Sequence, residues 1–275
     1  MEKQYSANQL RTYYDNKIYG LRSPDYWRSP SEEYYLSRIK STIAKFLESE
    51  IDASKQVTVL DFGCGKGTDV FMLSKKFNKI KFTGADLSKK AIKLAKLTAK
   101  TLGYANCKFV EGNIETTDLK EKYDVIVCSE TIEHVDINLA MDNIWRHLKE
   151  GGVLILSTPN EDYFLKRLVG ILPGKFLKKI REEQDWCVKR YAHAYKSSIK
   201  TTHFSVQTYK NLLNILKNKG FKIESARRGA LLYGGEWVDA RPVFFTLLIL
   251  LELFIPKNWL GFGSNIIIKA RKYQG

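Results

Sequence analysis

The chain has 275 residues, 44% of them hydrophobic and 27% charged. That is enough apolar content for one large folded domain and excludes wholesale disorder. Four cysteines, Cys64, Cys107, Cys128 and Cys187, lie too far apart for a disulfide scaffold or a cysteine-rich zinc module. The formal charge of +15 is concentrated late in the chain, where residues 161–275 hold 21 basic and 9 acidic side chains, so any anionic partner is expected to meet that part. The opening MEKQYSANQLRTYYDNK lacks the apolar stretch of a signal peptide, which, with scattered cysteines, predicts a cytoplasmic protein.

The first 50 residues read as helices, with Tyr35, Ile39, Ile43 and Phe46 on one face of a helix over 32–50. From Val57 the pattern changes to short β-branched runs at 57–62, 79–86, 107–112, 123–129 and 152–158. Helical stretches at 87–103 and 138–152 separate them, and a helix at 210–220 precedes strands at 221–228 and 264–272. Strands alternating with helices at this spacing predict an α/β fold with a largely parallel sheet covered on both faces. The organisation expected is an N-terminal helical lid over 1–55 and a main domain over 56–275. Two stretches, 160–204 and 229–263, are too long for plain connections and read as helical insertions.

The chemistry begins at Asp61-Phe62-Gly63-Cys64-Gly65-Lys66-Gly67-Thr68, directly after a strand and before a helix. Glycines at 63, 65 and 67 allow a sharp turn and close approach of a ligand to the backbone. Their GxGxG spacing differs from the GxGxxG of nicotinamide and flavin binders. Asp86, at the end of the next strand, is placed to accept two ribose hydroxyls, with Leu87 beside it. Asn113 and Ile114, after the third strand, are placed to bond an adenine amino group and to cover its ring. Ser129 ends the fourth strand and completes the candidate cofactor set.

These motifs resemble the class I S-adenosylmethionine (SAM) dependent methyltransferases, over about Val57 to Arg271. The resemblance implies a seven-stranded Rossmann-like sheet in the order 3-2-1-4-5-7-6 with strand 7 antiparallel, and SAM across the C-terminal strand ends. It also implies that Asp61 to Gly67 hold the methionine part, Asp86 the ribose and Asn113 with Ile114 the adenine; Asn113 stands where many relatives have Asp. The next motif, Ser129-Glu130-Thr131-Ile132-Glu133-His134-Val135, puts Glu130, Glu133 and His134 at i, i+3 and i+4, one face of a helical turn. Two carboxylates and an imidazole suit a divalent cation such as Mg²⁺ or Zn²⁺, with His203 as a fourth ligand or a general base. Metal-free acid–base chemistry by the same residues, and a purely structural role, are the alternatives. With Ser157-Thr158-Pro159-Asn160, the segment resembles the ubiquinone-biosynthesis O-methyltransferases and the small-RNA 2′-O-methyltransferases.

The insertions bear on the acceptor. Tyr163 to Ile180 carries an apolar face with Lys166, Arg167, Lys175, Lys178 and Lys179, and residues 243–255 form a largely apolar run between Pro242 and Pro256, with Glu252 near its end. Thirteen helical residues reach about 20 Å against a hydrocarbon core of about 30 Å, so this run does not span a bilayer. It reads as a lid over an apolar substrate, a monotopic anchor, or a core or oligomer contact. The leading expectation is O-methylation of a lipophilic small molecule, a quinone precursor or lipid-linked acceptor, near a membrane surface. Trp186, Tyr191 and Tyr195 beside Lys189 and Arg190 keep an RNA 2′-O-methyltransferase as the alternative, and a non-catalytic SAM-binding scaffold docking through 243–255 is the third.

Overall fold

The computed structural model describes residues 5–19, 30–51, 56–164, 167, 203, 205–231 and 236–273. Its sheet has seven strands: β1 (Thr58–Phe62), β2 (Lys81–Asp86), β3 (Cys107–Glu111), β4 (Tyr123–Ser129), β5 (Leu148–Pro159), β6 (Phe221–Arg228) and β7 (Asn265–Lys272). They lie in the order β3-β2-β1-β4-β5-β7-β6. The first five run parallel, and β7 is antiparallel to both β5 and β6.

Period-two alternation explains why both faces are covered. Leu60, Ile126, Leu154 and Ile268 point to one face, where they pack with Ile144 of α5 (Ile137–His147) and with Leu212 and Leu216 of α6 (Tyr209–Asn218). Their neighbours Val59, Val125, Val127, Ile155 and Ile267 point to the other face. That layer comprises Tyr35, Ile39 and Ile43 of α2 (Pro30–Glu48), Val70 and Leu73 of α3 (Thr68–Lys76), and Ile92 of α4 (Lys89–Leu102). The helix start signals match the chain: Ser88 caps α4 through its side chain, and Gly103 closes it with φ of 71°.

Two boundaries differ from the sequence expectation. The helix read over 138–152 stops at His147, because Leu148 pairs with Tyr123 and is fully buried as the first residue of β5. The glycines at 151 and 152 therefore lie inside the irregular start of that strand and do not close a helix. On α2 the buried fourth member is Leu47, with Phe46 only partly buried, because a run of i+4 steps from Tyr35 keeps the stripe facing the sheet.

The N-terminal segment forms α1 (Ala7–Tyr13) followed by a π-turn over Tyr14–Ile18. Between β6 and β7 lie a short α7 (Glu236–Asp239), α8 (Pro242–Phe254) and a 3₁₀ turn at Leu260–Phe262. The expectations for 165–166, 168–202 and 232–235, including most of the Tyr163–Ile180 helix reading and the Trp186, Tyr191 and Tyr195 groove, lie outside the described residues. No helix among the described residues is long and apolar enough to cross a membrane.

Candidate active site

All the candidate residues gather at the C-terminal ends of β1 to β5. After β1 the chain turns through Gly63, Gly65 and Gly67, whose φ values of 91°, 54° and 84° are left-handed and strained for any side chain. The turn is tied to β2: the Gly63 and Cys64 amides donate to the Ala85 carbonyl, and the Gly65 amide donates to Asp86 Oδ2 at 2.8 Å. Asp86 Oδ1 accepts from the Ser88 amide at 2.8 Å. The carboxylate thus braces the cradle, and each oxygen retains a further lone pair for a ligand. Burial pushes the Asp86 carboxyl up, opposed by these two amide bonds. Asp61 is raised more strongly, by burial and then by Asp69 and Asp86. Burial, then the charges of Asp61 and Asp86, pushes the Cys64 thiol up.

Asn113 and Ile114 follow β3. Asn113 Oδ1 accepts from the Glu115 amide at 2.9 Å, and its amide nitrogen donates to Glu115. Its side chain thus shapes an Asx turn, leaving one lone pair on the oxygen. Ile114 is buried in the core cluster with Phe62 and Ala85. Leu87 packs against Leu10 and Tyr13 of α1, and its carbonyl accepts from Arg11 Nε at 3.1 Å.

The acceptor side is built after β4. Glu130 has φ of 49°, and this left-handed residue turns the chain into a 3₁₀ turn over Ile132–His134. Sequence spacing placed Glu130 with Glu133 and His134; the structure does not bring it to that group, because no α-helical turn forms there. Glu130 points instead to the α2 side, accepting from Tyr35 Oη at 3.1 Å and from Ser157 Oγ at 3.0 Å. Ser129 Oγ lies 3.0 Å from Ser157 Oγ. Glu133 is almost fully buried and accepts from Thr158 Oγ1 at 3.1 Å.

Glu133, His134 and His203 do converge: their ligating atoms lie within 4.8 Å of one another. His134 Nε2 is 3.7 Å from Glu133 Oε1, and the two imidazole rings are 4.6 Å apart. The Ser205 amide donates to the Glu133 carbonyl at 3.0 Å, which ties the chain two residues from His203 to the turn after β4. Burial pushes Glu130 and Glu133 above the usual carboxylate range, and the charge of Glu133 raises Glu130 further. Burial, then the nearby His134, pushes His203 down to about 3. A neutral imidazole beside carboxyls poised to ionise near neutrality is a donor and acceptor set for moving a proton.

Sequence reasoning treated the N-terminal segment only as a cover; the structure puts named side chains into the cleft. Asp15 accepts from the Ser88 hydroxyl and from the Lys90 amide, at the N-terminus of α4, where a carboxylate is favoured by the helix dipole. Tyr19 Oη lies over the glycine turn, where a Cβ on Gly65 would come within 2.7 Å of it. The Tyr14 ring stands 6.2 Å from that of His134. Its phenol is raised by burial and then by Tyr19, Asp86 and Glu133, so Tyr14 stands between the cofactor-side and acceptor-side carboxylates. Tyr35 was read as core; its hydroxyl on Glu130 carried no signal in a helical apolar stripe.

A seven-stranded sheet of this order, with a glycine turn after β1, an acidic residue ending β2 and titratable groups after β4, defines a nucleotide-cofactor transferase architecture. The methyltransferase-domain family matches residues 53–222. The chain is 33% identical over 143 residues to the mitochondrial ubiquinone biosynthesis O-methyltransferase of Saccharomyces cerevisiae, covering 47% of this chain and 42% of that one. It is 27% identical over 147 residues to malonyl-[acyl-carrier protein] O-methyltransferase of Bacillus anthracis, covering 53% and 54%. It thus spans about half the length of these curated relatives. The structure of magnesium protoporphyrin IX methyltransferase from Synechocystis with bound SAH superimposes with a TM-score of 0.61 at 15% identity, covering 98% of this chain and all of that one. That likeness is one of fold. The chain belongs to the class I SAM-dependent methyltransferase family.

Proposed function

We propose that the protein is a SAM-dependent O-methyltransferase acting on a lipophilic small molecule, of the quinone-precursor or lipid-linked kind. The observation that carries the reading is the convergence of Glu133, His134 and His203 at the tip of β4, next to a glycine cradle braced by Asp86. The residues present fit the cofactor: three left-handed glycines leave backbone where a Cβ would obstruct, and Asp86 retains acceptor capacity at a strand tip. Asp61 to Gly67 would hold the methionine part and Asp86 the ribose. When bound, SAM supplies a methyl group on a sulfonium, an electrophile that needs an oxygen nucleophile in line.

The acceptor side supplies the base. A Glu133 carboxylate, once ionised, accepts the acceptor hydroxyl's proton directly or through His134, and neutral His203 is available to hydrogen-bond the same oxygen. Glu130, held by Tyr35 and Ser157, keeps the turn in place. Tyr14 and Tyr19 cover the cleft and limit water. The O-methyltransferase relatives support oxygen as the acceptor atom, and the exposed apolar residues of α8 support a lipophilic acceptor and contact with a membrane surface.

A second reading is favoured by the same convergence. One carboxylate and two imidazoles within 4.8 Å suit a divalent cation of the Zn²⁺ kind better than Mg²⁺, which prefers oxygen ligands; when bound, such an ion would lower the pKa of an acceptor hydroxyl. The test is methyl transfer from labelled SAM to a panel of catechol and polyprenylated phenol acceptors, with and without a chelator. Transfer insensitive to chelation supports the metal-free base; transfer lost on chelation and restored by one cation supports the metal. No transfer to any oxygen acceptor, with SAM bound, would overturn the O-methyltransferase reading.

A further inference from the structure

Helix α8 is built inside out. Its inward stripe is Phe245, Leu248, Ile249 and Glu252, at helical spacing, and the buried member is the charged one. Glu252 accepts from Tyr34 Oη at 2.8 Å and from the Leu231 amide at 2.7 Å, and lies 3.8 Å from Arg228 and 3.6 Å from Arg38. Arg228 in turn donates to the carbonyls of Glu252, Gly229, Ile255 and Pro256, which clamps the C-terminal end of the helix to β6. Phe245 stacks edge-on against Tyr34. With Glu252 consumed in this clamp and the Thr246 hydroxyl turned back on the Pro242 carbonyl, the outward stripe is carried by Val243, Leu247, Leu250, Leu251, Leu253 and Phe254, from 47% to 82% exposed. Trp259, also exposed, follows just beyond the helix.

Two exposed lysines, Lys45 and Lys257, lie near one another at the base of this face. Lys257 is exposed, and its carbonyl accepts from the Arg228 amide at 2.7 Å. Its ammonium is held below the usual lysine range by partial burial and then by the positive charges of Arg38, Lys45, Arg228 and Arg227. A second copy of the chain docking on α8 would bring two such clusters together. An anionic surface would neutralise them while taking up the apolar stripe.

We propose that α8 is a monotopic anchor: its Val243–Phe254 stripe and Trp259 enter one leaflet of an anionic bilayer, with Lys45 and Lys257 on the phosphates. The buried Glu252–Arg228 clamp fixes the angle at which the anchor leaves the catalytic domain. At about 20 Å the helix lies in the interface and does not cross it. The proposal deepens, and takes its sense from, the reading of a lipophilic acceptor, yet flotation requires neither acceptor nor cofactor.

The test is flotation of the full chain on vesicles of phosphatidylglycerol with phosphatidylcholine, against phosphatidylcholine alone, alongside calorimetric SAM binding and light scattering. Wild type is expected to float with the anionic vesicles. The exposed-residue variant Leu247→Gln, Leu251→Gln, Phe254→Gln should float roughly tenfold less or lower still, with SAM affinity unchanged. Lys45→Glu with Lys257→Glu should lower flotation by roughly fivefold or more per charge reversed, and added salt should mimic it. Wild type that floats with neither vesicle, or a triple variant that floats as well as wild type, overturns the anchor. A wild-type dimer that the triple variant converts to monomer, without flotation, assigns the face to a second copy and overturns it too. Loss of methyl transfer with flotation intact would count against the proposed reaction and leave the anchor standing.

Discussion

The two halves of the cleft are held by different forces. On the cofactor side, the tips of β1 and β2 rely on backbone: left-handed glycines, amides donating to Ala85 and Asp86, and residues close together in sequence. On the other side, the tips of β4 and β5 rely on buried and partly buried polar side chains drawn from Tyr14, Tyr35, Glu130, Glu133, Thr158 and His203. The first half leaves no room for a Cβ at Gly63 or Gly67.

The contrast can be broken most sharply at Glu133. Glu133→Gln keeps the volume and the bond to Thr158 while removing the base, so turnover should fall about 10²- to 10⁴-fold, with SAM affinity by calorimetry nearly unchanged. Equal turnover would remove Glu133 from the reaction. On the other half, Asp86→Asn should weaken SAM about ten- to a hundredfold, since a charge-assisted bond contributes about 1.5–3 kcal/mol. Turnover at saturating SAM should stay close to wild type, and a collapse there instead would merge the two halves.

Gly67→Val tests the backbone argument. Its φ of 84° and a Cβ only 2.7 Å from the Phe109 ring should cost about 1–3 kcal/mol for the strained backbone alone. A lowered melting temperature is the readout.

A smaller effect is expected from pH. Glu130 and Glu133 have carboxyls raised in the fold by burial, so the folded state binds protons more tightly than the unfolded one. Stability from these groups is therefore full below the ordinary carboxylate range and falls as pH rises toward their raised folded values. The melting temperature should drop between mildly acidic and mildly alkaline buffer, and Glu133→Gln should flatten that drop. Over the same interval kcat/KM should rise, because the base must ionise. The smallest effect belongs to the cover: Asp15→Ala removes the latch to Ser88 and Lys90 and should speed SAM dissociation a few-fold, about the value of one or two part-exposed hydrogen bonds, by stopped-flow fluorescence.

By itself the sequence determined the strands and the glycine turn, because each of those is local, an apolar run or a cluster of glycines within a few residues; the strand order came through the family resemblance. The tertiary structure decided the rest. It removed Glu130 from the Glu133, His134 and His203 group by a left-handed turn that spacing does not reveal. It set Tyr35 and Tyr14 against carboxylates far away in the chain. It also turned the one acid of α8 inward onto Arg228 and the leucines outward, an orientation no hydrophobic pattern encodes, since which face of a nearly uniform apolar helix is buried depends on a partner supplied by a distant strand.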